Sequence, residues 1–66
     1  MDADWTLLSL NHVDHILLGR RVVDTRSMRE GELRAVVVEN GREVGYALGE
    51  DHREFDVPMK HMRAAS

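Results

Sequence analysis

Two residues in the middle of the chain, Asn40-Gly41, restrict its fold more than any other feature. Asn-Gly is the preferred pair for a two-residue hairpin turn, because both turn positions need a positive φ. On each side of the pair, over residues 33–39 and 42–48, apolar side chains recur in the pattern of β-strands. The sequence therefore predicts a β-hairpin.

The two-residue turn also fixes which residues of the hairpin lie opposite one another. Counting outward from the turn places Glu39 opposite Arg42. Three apolar pairs follow: Val37 with Val44, Ala35 with Tyr46, and Leu33 with Leu48. These pairs share one face of the hairpin, so we expect that face to point into the core.

The other face of the hairpin carries a second apolar strip, which we expect to be exposed. Its members are Val36, Val38, Gly45 and Ala47. An exposed apolar strip on a small protein is typically buried by another segment or by another molecule. Either residues 5–10 of the same chain or a second molecule could bury it. We favour the second molecule, so the strip is the candidate self-association surface.

Shorter patterns predict the elements that flank the hairpin. Residues 20–25 read as a strand, and residues 27–31 as an exposed loop. Residues 53–57 read as a further strand that Pro58 ends, because proline has no N–H to donate. Residues 59–62 then form one turn of helix. We expect Phe55, Val57 and Met62 to be buried, with Met59 on the same side of the helical turn as Met62.

The N-terminal region allows two interpretations. In the first, residues 5–10 form a strand and residues 13–18 a short helical turn, capped by Asn11 and stopped by Gly19. In the second, residues 3–18 form one helix with an apolar stripe. We prefer the strand followed by the helical turn.

Together these elements predict a mostly β fold, with four or five short strands and one or two short helical turns. We treat residues 1–66 as a single domain. Closing so short a sheet into a barrel removes the edges that would otherwise aggregate. We therefore expect a small β-barrel.

Residues 17–65 resemble small SH3-like β-barrel proteins. Residues 17–24 (LLGRRVVD) and the Val57-Pro58 step into a last helical turn resemble the PRC-barrel family. Other residues are similar to small actinobacterial SH3-like proteins of unassigned role: residues 19–22, 29–33, 53–55 and 62–64. Such families act as binding, assembly or RNA-maturation modules. The resemblance thus implies an SH3-like barrel and a non-enzymatic role.

Charge is distributed unevenly along the chain, whose net charge is −3. Residues 20–34 carry five arginines against three acids, whereas residues 35–56 carry six acids against two arginines. Because arginine suits bidentate phosphate contacts, the five arginines form a candidate anion or nucleic-acid patch. They are Arg20, Arg21, Arg26, Arg29 and Arg34. A net acidic chain is untypical of nucleic-acid binders, so we treat nucleic-acid or ribosome binding as the alternative function.

Sequence signals for chemistry are weak. His12 and His15, with Asp14 between them, have a spacing that a metal can use, but a zinc site needs three or four ligands. No serine lies in a nucleophile motif. We therefore expect no enzyme activity, no metal and no cofactor.

The chain has no cysteine, no apolar run of the ~20 residues that a bilayer span needs, and no basic start typical of a signal peptide. We therefore expect a cytoplasmic protein that does not bind membranes. The function we predict is a non-enzymatic protein-interaction or regulatory module that self-associates.

Overall fold

The computed structural model describes residues 12–65, so the predictions for residues 5–10 and for the Asn11 cap lie outside the described residues. The described elements follow in the order β1 (Arg21–Asp24), β2 (Glu30–Glu39), β3 (Arg42–Gly49), β4 (Glu54–Pro58), a 3-10 turn (Met59–His61) and β5 (Met62–Ala64). The strands form one antiparallel sheet in the spatial order β4-β3-β2-β1-β5. The prediction of a mostly β protein is confirmed.

The central hairpin forms around the predicted turn. Asn40 and Gly41 have φ values of 55° and 76°, as a type I′ turn requires. The ladder next to the turn keeps the expected register: Glu39 lies opposite Arg42, Val37 opposite Val44, and Ala35 opposite Tyr46. Turn chemistry and local pattern were sufficient to place these residues.

Replacing Gly41 with valine should lower the free energy of unfolding by more than about 1 kcal/mol, because a β-branched residue is strained at positive φ. A Cβ at this position would meet nothing within 4 Å, so the cost is one of backbone conformation. Gly41→Asn is the matched control, since asparagine tolerates this conformation. Urea unfolding of both variants measures the difference. An unchanged midpoint for Gly41→Val would contradict the turn.

Farther from the turn, the hairpin departs from the expected register. Leu33 lies opposite Ala47 rather than Leu48, because the ladder shifts immediately after Leu33. Arg34 is the inserted residue, which makes this irregularity a β-bulge. Leu33 and Val36, three residues apart, consequently share one face of the sheet. The predicted pair of Leu33 with Leu48 is wrong, because the prediction assumed a regular ladder without an inserted residue.

The bulge decides which side chains form the main core. The most deeply buried cluster draws on all the strands: Val22, Leu33, Val36, Ala47, Val57 and Met62. Phe55 and Met59 pack against this cluster and are partly buried. The predicted burial is therefore confirmed for Val57 and Met62, whereas Phe55 points inward but is only partly buried. Met59 packs against the same cluster as Met62.

The second face of β2 is also buried near the bulge. Ala35 and Val37 are 6% and 1% exposed, although neither belongs to the main cluster. Val37 forms a bridge with His12, and the Val13 N–H donates to the Val36 carbonyl at 2.9 Å. The segment before β1 thus pairs with the backbone of β2 at Val36 and Val37.

Residues 16–19 form turns and residues 13–15 have no regular structure, so the helical turn predicted over residues 13–18 does not form as a helix. Leu18 N–H donates to the His15 carbonyl at 3.1 Å, and Arg20 N–H donates to the Leu17 carbonyl at 3.0 Å. Gly19, at φ 81°, ends the segment in the left-handed conformation that favours glycine. Leu17 and Leu18 still pack against the core, which explains their apolar character.

Candidate functional site

The candidate self-association strip does not form an exposed surface. Val36 and Ala47 are 1% and 0% exposed, and Gly45 is buried between them and β4. Only Val38 of the four lies at the surface, at 37% exposure. The expectation of an exposed strip is wrong, because the bulge at Arg34 turns this face of the hairpin toward the core.

The larger exposed apolar side chains of the described residues lie elsewhere. Besides Val38 they are Ile16 and Met28, which are 82% and 68% exposed. Met28 lies in the loop between β1 and β2 and has a φ of 64°, which is rare for a residue with a side chain. Its exposure agrees with the exposed loop predicted for residues 27–31, although that loop ends earlier than predicted, because β2 begins at Glu30 and Gly31 is buried.

Asp24 holds the loop around Met28 in place. Its carboxylate accepts the Arg26 N–H at 2.9 Å and the Ser27 hydroxyl at 3.1 Å, and the Arg26 guanidinium lies at 3.4 Å. Burial raises the pKa of Asp24, but these hydrogen bonds outweigh it and hold the pKa below its usual value. The Met28 N–H donates to the Asp24 carbonyl at 2.6 Å. The loop is therefore fixed by its own hydrogen bonds.

Four of the five predicted patch arginines contact carboxylates of the same chain. Arg21 Nε lies 3.1 Å from Glu30 Oε1, and its Nη2 lies 2.6 Å from Glu50 Oε2. The hydrogen bonds to Glu50 and Glu30 raise the pKa of Arg21. Two further pairs are local and longer: Arg26 with Asp24 at 3.4 Å, and Arg34 with Glu32 at 3.9 Å. Arg20 is exposed.

Arg29 makes the most extensive contacts of the patch. Its Nη2 lies 3.3 Å from Asp51 Oδ2, and its guanidinium carbon lies 4.4 Å from the centre of the Phe55 ring. The Asp51 pKa is lowered, first by the Arg53 N–H that it accepts and then by the charge of Arg29. Arg29 therefore joins the β1–β2 loop to the β3–β4 loop.

The predicted separation of basic and acidic regions does not persist in three dimensions. Gly31 pairs with Gly49, which brings the β1–β2 and β3–β4 loops to the same end of the sheet. Glu50 and Asp51, from the acidic segment, then lie against arginines of the basic segment. The patch is therefore partly neutralised by the chain itself, although exposed ion pairs contribute little to stability and can exchange partners.

Tyr46 lies on the outer face of the sheet, opposite Asp56. Its hydroxyl donates a short hydrogen bond to the Glu39 carboxylate. This bond, together with burial and the charges of Glu39 and Asp56, raises the pKa of Tyr46 to about 12. The group is structural, since it joins the end of β2 next to the turn to the middle of β3.

Alkaline titration, monitored by ultraviolet absorbance, should give a midpoint near 12 for Tyr46. Tyr46 is the only tyrosine of the chain, so the signal belongs to it. Because the folded pKa exceeds the ordinary value of 10.0, the stability that it contributes is complete below pH 10.0 and is lost as the pH rises toward 12. Glu39→Gln should return the midpoint toward 10.0. Glu43→Gln removes a charge from the same hairpin and should leave it unchanged. A wild-type midpoint near 10.0 would contradict the bond.

The histidines considered for metal binding take part in local backbone contacts. The Nδ1 atom of His15 accepts the Leu17 N–H at 3.1 Å, and Asp14 accepts the His15 N–H at 2.9 Å. Within residues 12–65, no three side chains of metal-binding type come together. In the same range, no helix has the length and apolar character to cross a membrane.

Among the strands of residues 12–65, β4 is one edge of the sheet, and its alternate backbone groups point away from β3. The Gly49 N–H donates to the Arg53 carbonyl at 2.9 Å, so Arg53 and every second residue after it face β3. The N–H and C=O groups of Glu54 and Asp56 therefore point outward. Both side chains are exposed, which gives this edge an acidic character.

Strand β5 is the other edge. Thr25 N–H donates to the His61 carbonyl and Ala65 N–H to the Arg21 carbonyl, both at 2.9 Å. Alternation then directs the backbone groups of Met62 and Ala64 away from β1. The exposed side chain between them is Arg63. Sequence reasoning missed both edges, because a strand is terminal only once the strand order is known.

Comparison of the chain with protein-family models, with curated proteins and with solved structures gives no match. The basis for a functional argument is therefore the set of described surfaces: the fixed loop that presents Met28, the partly neutralised arginine patch, and the two edge strands of unlike charge.

Proposed function

We propose that this chain is a small SH3-like β-barrel that is open between β4 and β5, which do not pair with each other. We propose further that it works as a non-enzymatic protein-interaction module and associates with copies of itself. The strand order supports the SH3-like part of the proposal. Four strands follow in antiparallel succession, and a 3-10 turn then leads into a last strand that pairs with the first. A bulge in the long strand β2 favours the bending that a small barrel needs. The resemblance of residues 17–24 to PRC-barrel proteins agrees with this arrangement.

The observation that carries the interaction role is the pair of edge strands. Within residues 12–65, the outward backbone groups of Glu54 and Asp56 on β4, and of Ala64 on β5, face no other strand. Unpaired groups on an edge are a ready template for a strand from another chain. Self-association also suits a domain of 66 residues without cysteine, because its own core provides limited stability.

The arginine contacts make nucleic-acid binding the less favoured alternative. A phosphate that bound Arg21 or Arg29 would have to replace Glu50 or Asp51, which those guanidinium groups already contact. Such a ligand would also approach acidic side chains that repel it. A protein strand that paired with an edge would bind backbone groups of β4 or β5 and would not need this exchange.

The experiment measures the mass of the purified full chain by light scattering and sedimentation over a wide concentration range. The expected result is a mass that rises with concentration while the circular dichroism spectrum stays constant. Fluorescence anisotropy with single-stranded RNA and duplex DNA, at low and high salt, runs in parallel. A monomer at every concentration contradicts self-association. Nucleic-acid binding that falls steeply with salt would favour the arginine patch instead.

A further inference from the structure

We propose that the β4 edge of one copy pairs with the β5 edge of a second copy, in parallel orientation, with Asp56 beside Arg63. This inference rests on the self-association proposed above and specifies its interface. The two edges are unlike in charge, since β4 exposes Glu54 and Asp56 whereas β5 exposes Arg63. The second copy therefore brings the complement of each edge.

Charge excludes the two symmetrical ways of joining the edges. Pairing β4 with β4 sets the carboxylates of Glu54 and Asp56 against the same carboxylates of the other copy. Pairing β5 with β5 brings Arg63 close to its own equivalent. Like charges directly opposite one another destabilise a sheet, whereas opposite charges stabilise it. Only the pairing of β4 with β5 sets acid against base.

The faces of the sheet select the parallel orientation. Asp56 and Arg63 both project from the outer face, whereas their neighbours Val57 and Met62 project into the core. In a parallel pair, a residue whose backbone groups point toward the partner lies opposite one whose groups point away. Asp56 then lies opposite Arg63, and the outer faces of both copies are continuous. An antiparallel pair would set Asp56 opposite Met62 or Ala64, whose side chains project from the core face.

The backbone groups that this arrangement needs are those that no other strand within residues 12–65 pairs with. The Asp56 N–H donates to the Met62 carbonyl of the second copy, and the second copy's Ala64 N–H donates to the Asp56 carbonyl. The backbone groups on either side of these two hydrogen bonds cannot lengthen the ladder between the copies. Pro58 has no N–H, and the Met62 N–H already donates to the Met59 carbonyl. The junction is short, so we expect a weak and reversible association.

Because the two edges differ, the interface is heterologous. Each added copy leaves one β4 edge and one β5 edge free, so growth continues until the copies close into a ring or form a filament. The mass should therefore rise beyond that of a dimer. High salt should reduce the association, because the Asp56–Arg63 pair lies at the surface.

The test exchanges the two charges. Asp56→Arg or Arg63→Asp alone should weaken association roughly tenfold or more, since each replaces an attraction with a repulsion. The double variant Asp56→Arg/Arg63→Asp should restore it. A mixture of the two single variants should also assemble, because one carries arginine at both edges and the other carries aspartate at both edges. Glu43→Arg and Arg42→Asp make the same charge changes on β3, which is not an edge strand, and serve as matched controls. All variants are measured by sedimentation, with circular dichroism to verify folding.

A charge-neutral variant makes the test independent of side-chain electrostatics. Ala64→Pro removes an outward N–H that the β1 ladder does not use, and it should abolish assembly while the domain stays folded. If the wild type assembles and all of these variants assemble to the same extent, the β4–β5 pairing is overturned and self-association stays intact. A wild type that stays monomeric would overturn both. Assembly of the single variants as strong as that of the wild type would also contradict the pairing.

Discussion

Val36→Lys should unfold the domain, whereas Val38→Lys should leave it folded. The two valines lie two residues apart on β2, yet Val36 is 1% exposed and Val38 is 37% exposed. A lysine at position 36 would place its ammonium group among Leu33 and Val57, with no carboxylate in the described core to pair with it. Burying an unpaired charge costs several kcal/mol. Small domains have total stabilities near the low end of about 5–15 kcal/mol, so the change is sufficient to unfold the protein.

Circular dichroism and thermal melting of the two variants measure this difference. Val36→Ala is the intermediate case, which loses buried methyl groups without adding charge and should lower the melting temperature without abolishing the fold. If Val36→Lys melted at the wild-type temperature, Val36 would be on the surface, as the alternating pattern predicts, and the bulge at Arg34 would be wrong.

Gly31→Ala should lower the free energy of unfolding by about 3 kcal/mol. A Cβ on Gly31 would lie 2.5 Å from the carbonyl oxygen of Leu48 and 2.9 Å from its carbonyl carbon. Both are backbone atoms of β3, and Gly31 pairs with Gly49 in that ladder, so relief of the overlap requires the strands to separate. The same change would also move Phe55, whose ring carbon Cε1 lies 3.1 Å from the added methyl group.

Gly45→Ala is the matched control for this prediction. Its added Cβ would also overlap a neighbour, but the nearest atom is the Met59 sulfur at 2.6 Å, which belongs to a flexible side chain. We therefore expect a smaller loss, about 1 kcal/mol, because the methionine can adopt another rotamer. Urea unfolding of both variants gives the comparison. A larger loss for Gly45→Ala than for Gly31→Ala would contradict the close approach of β2 to β3 at Gly31.

The exposed charges show why the candidate site was less predictable than the fold. Arg21 and Glu50 are 29 residues apart, and Arg29 and Asp51 are 22 apart. Nothing in the spacing of these residues signals their contact, because it depends on the pairing of Gly31 with Gly49. The surfaces expected from the sequence therefore differ from those in the structure, because folding brings the β1–β2 and β3–β4 loops together.

The sequence by itself determined the local features of this protein. Asn40-Gly41 imposes a tight turn through its positive φ values, and β4 ends at Pro58, close to where the sequence places its end. The positions of Phe55 and Val57 follow from the alternation of side chains along a strand. Each of these features depends on residues within a few positions of one another, so a local pattern is sufficient to predict them.

Only the tertiary structure decided which face of the hairpin is buried and which strands are edges. The bulge at Arg34 lets one strand pair with β1 at its start and with β3 along its length, and that requirement is absent from the local pattern. Val36 is buried as a result, and its burial removes the surface that the alternation had predicted. The charges of Asp56 and Arg63 acquire a role only because the strand order places β4 and β5 at opposite ends of the sheet.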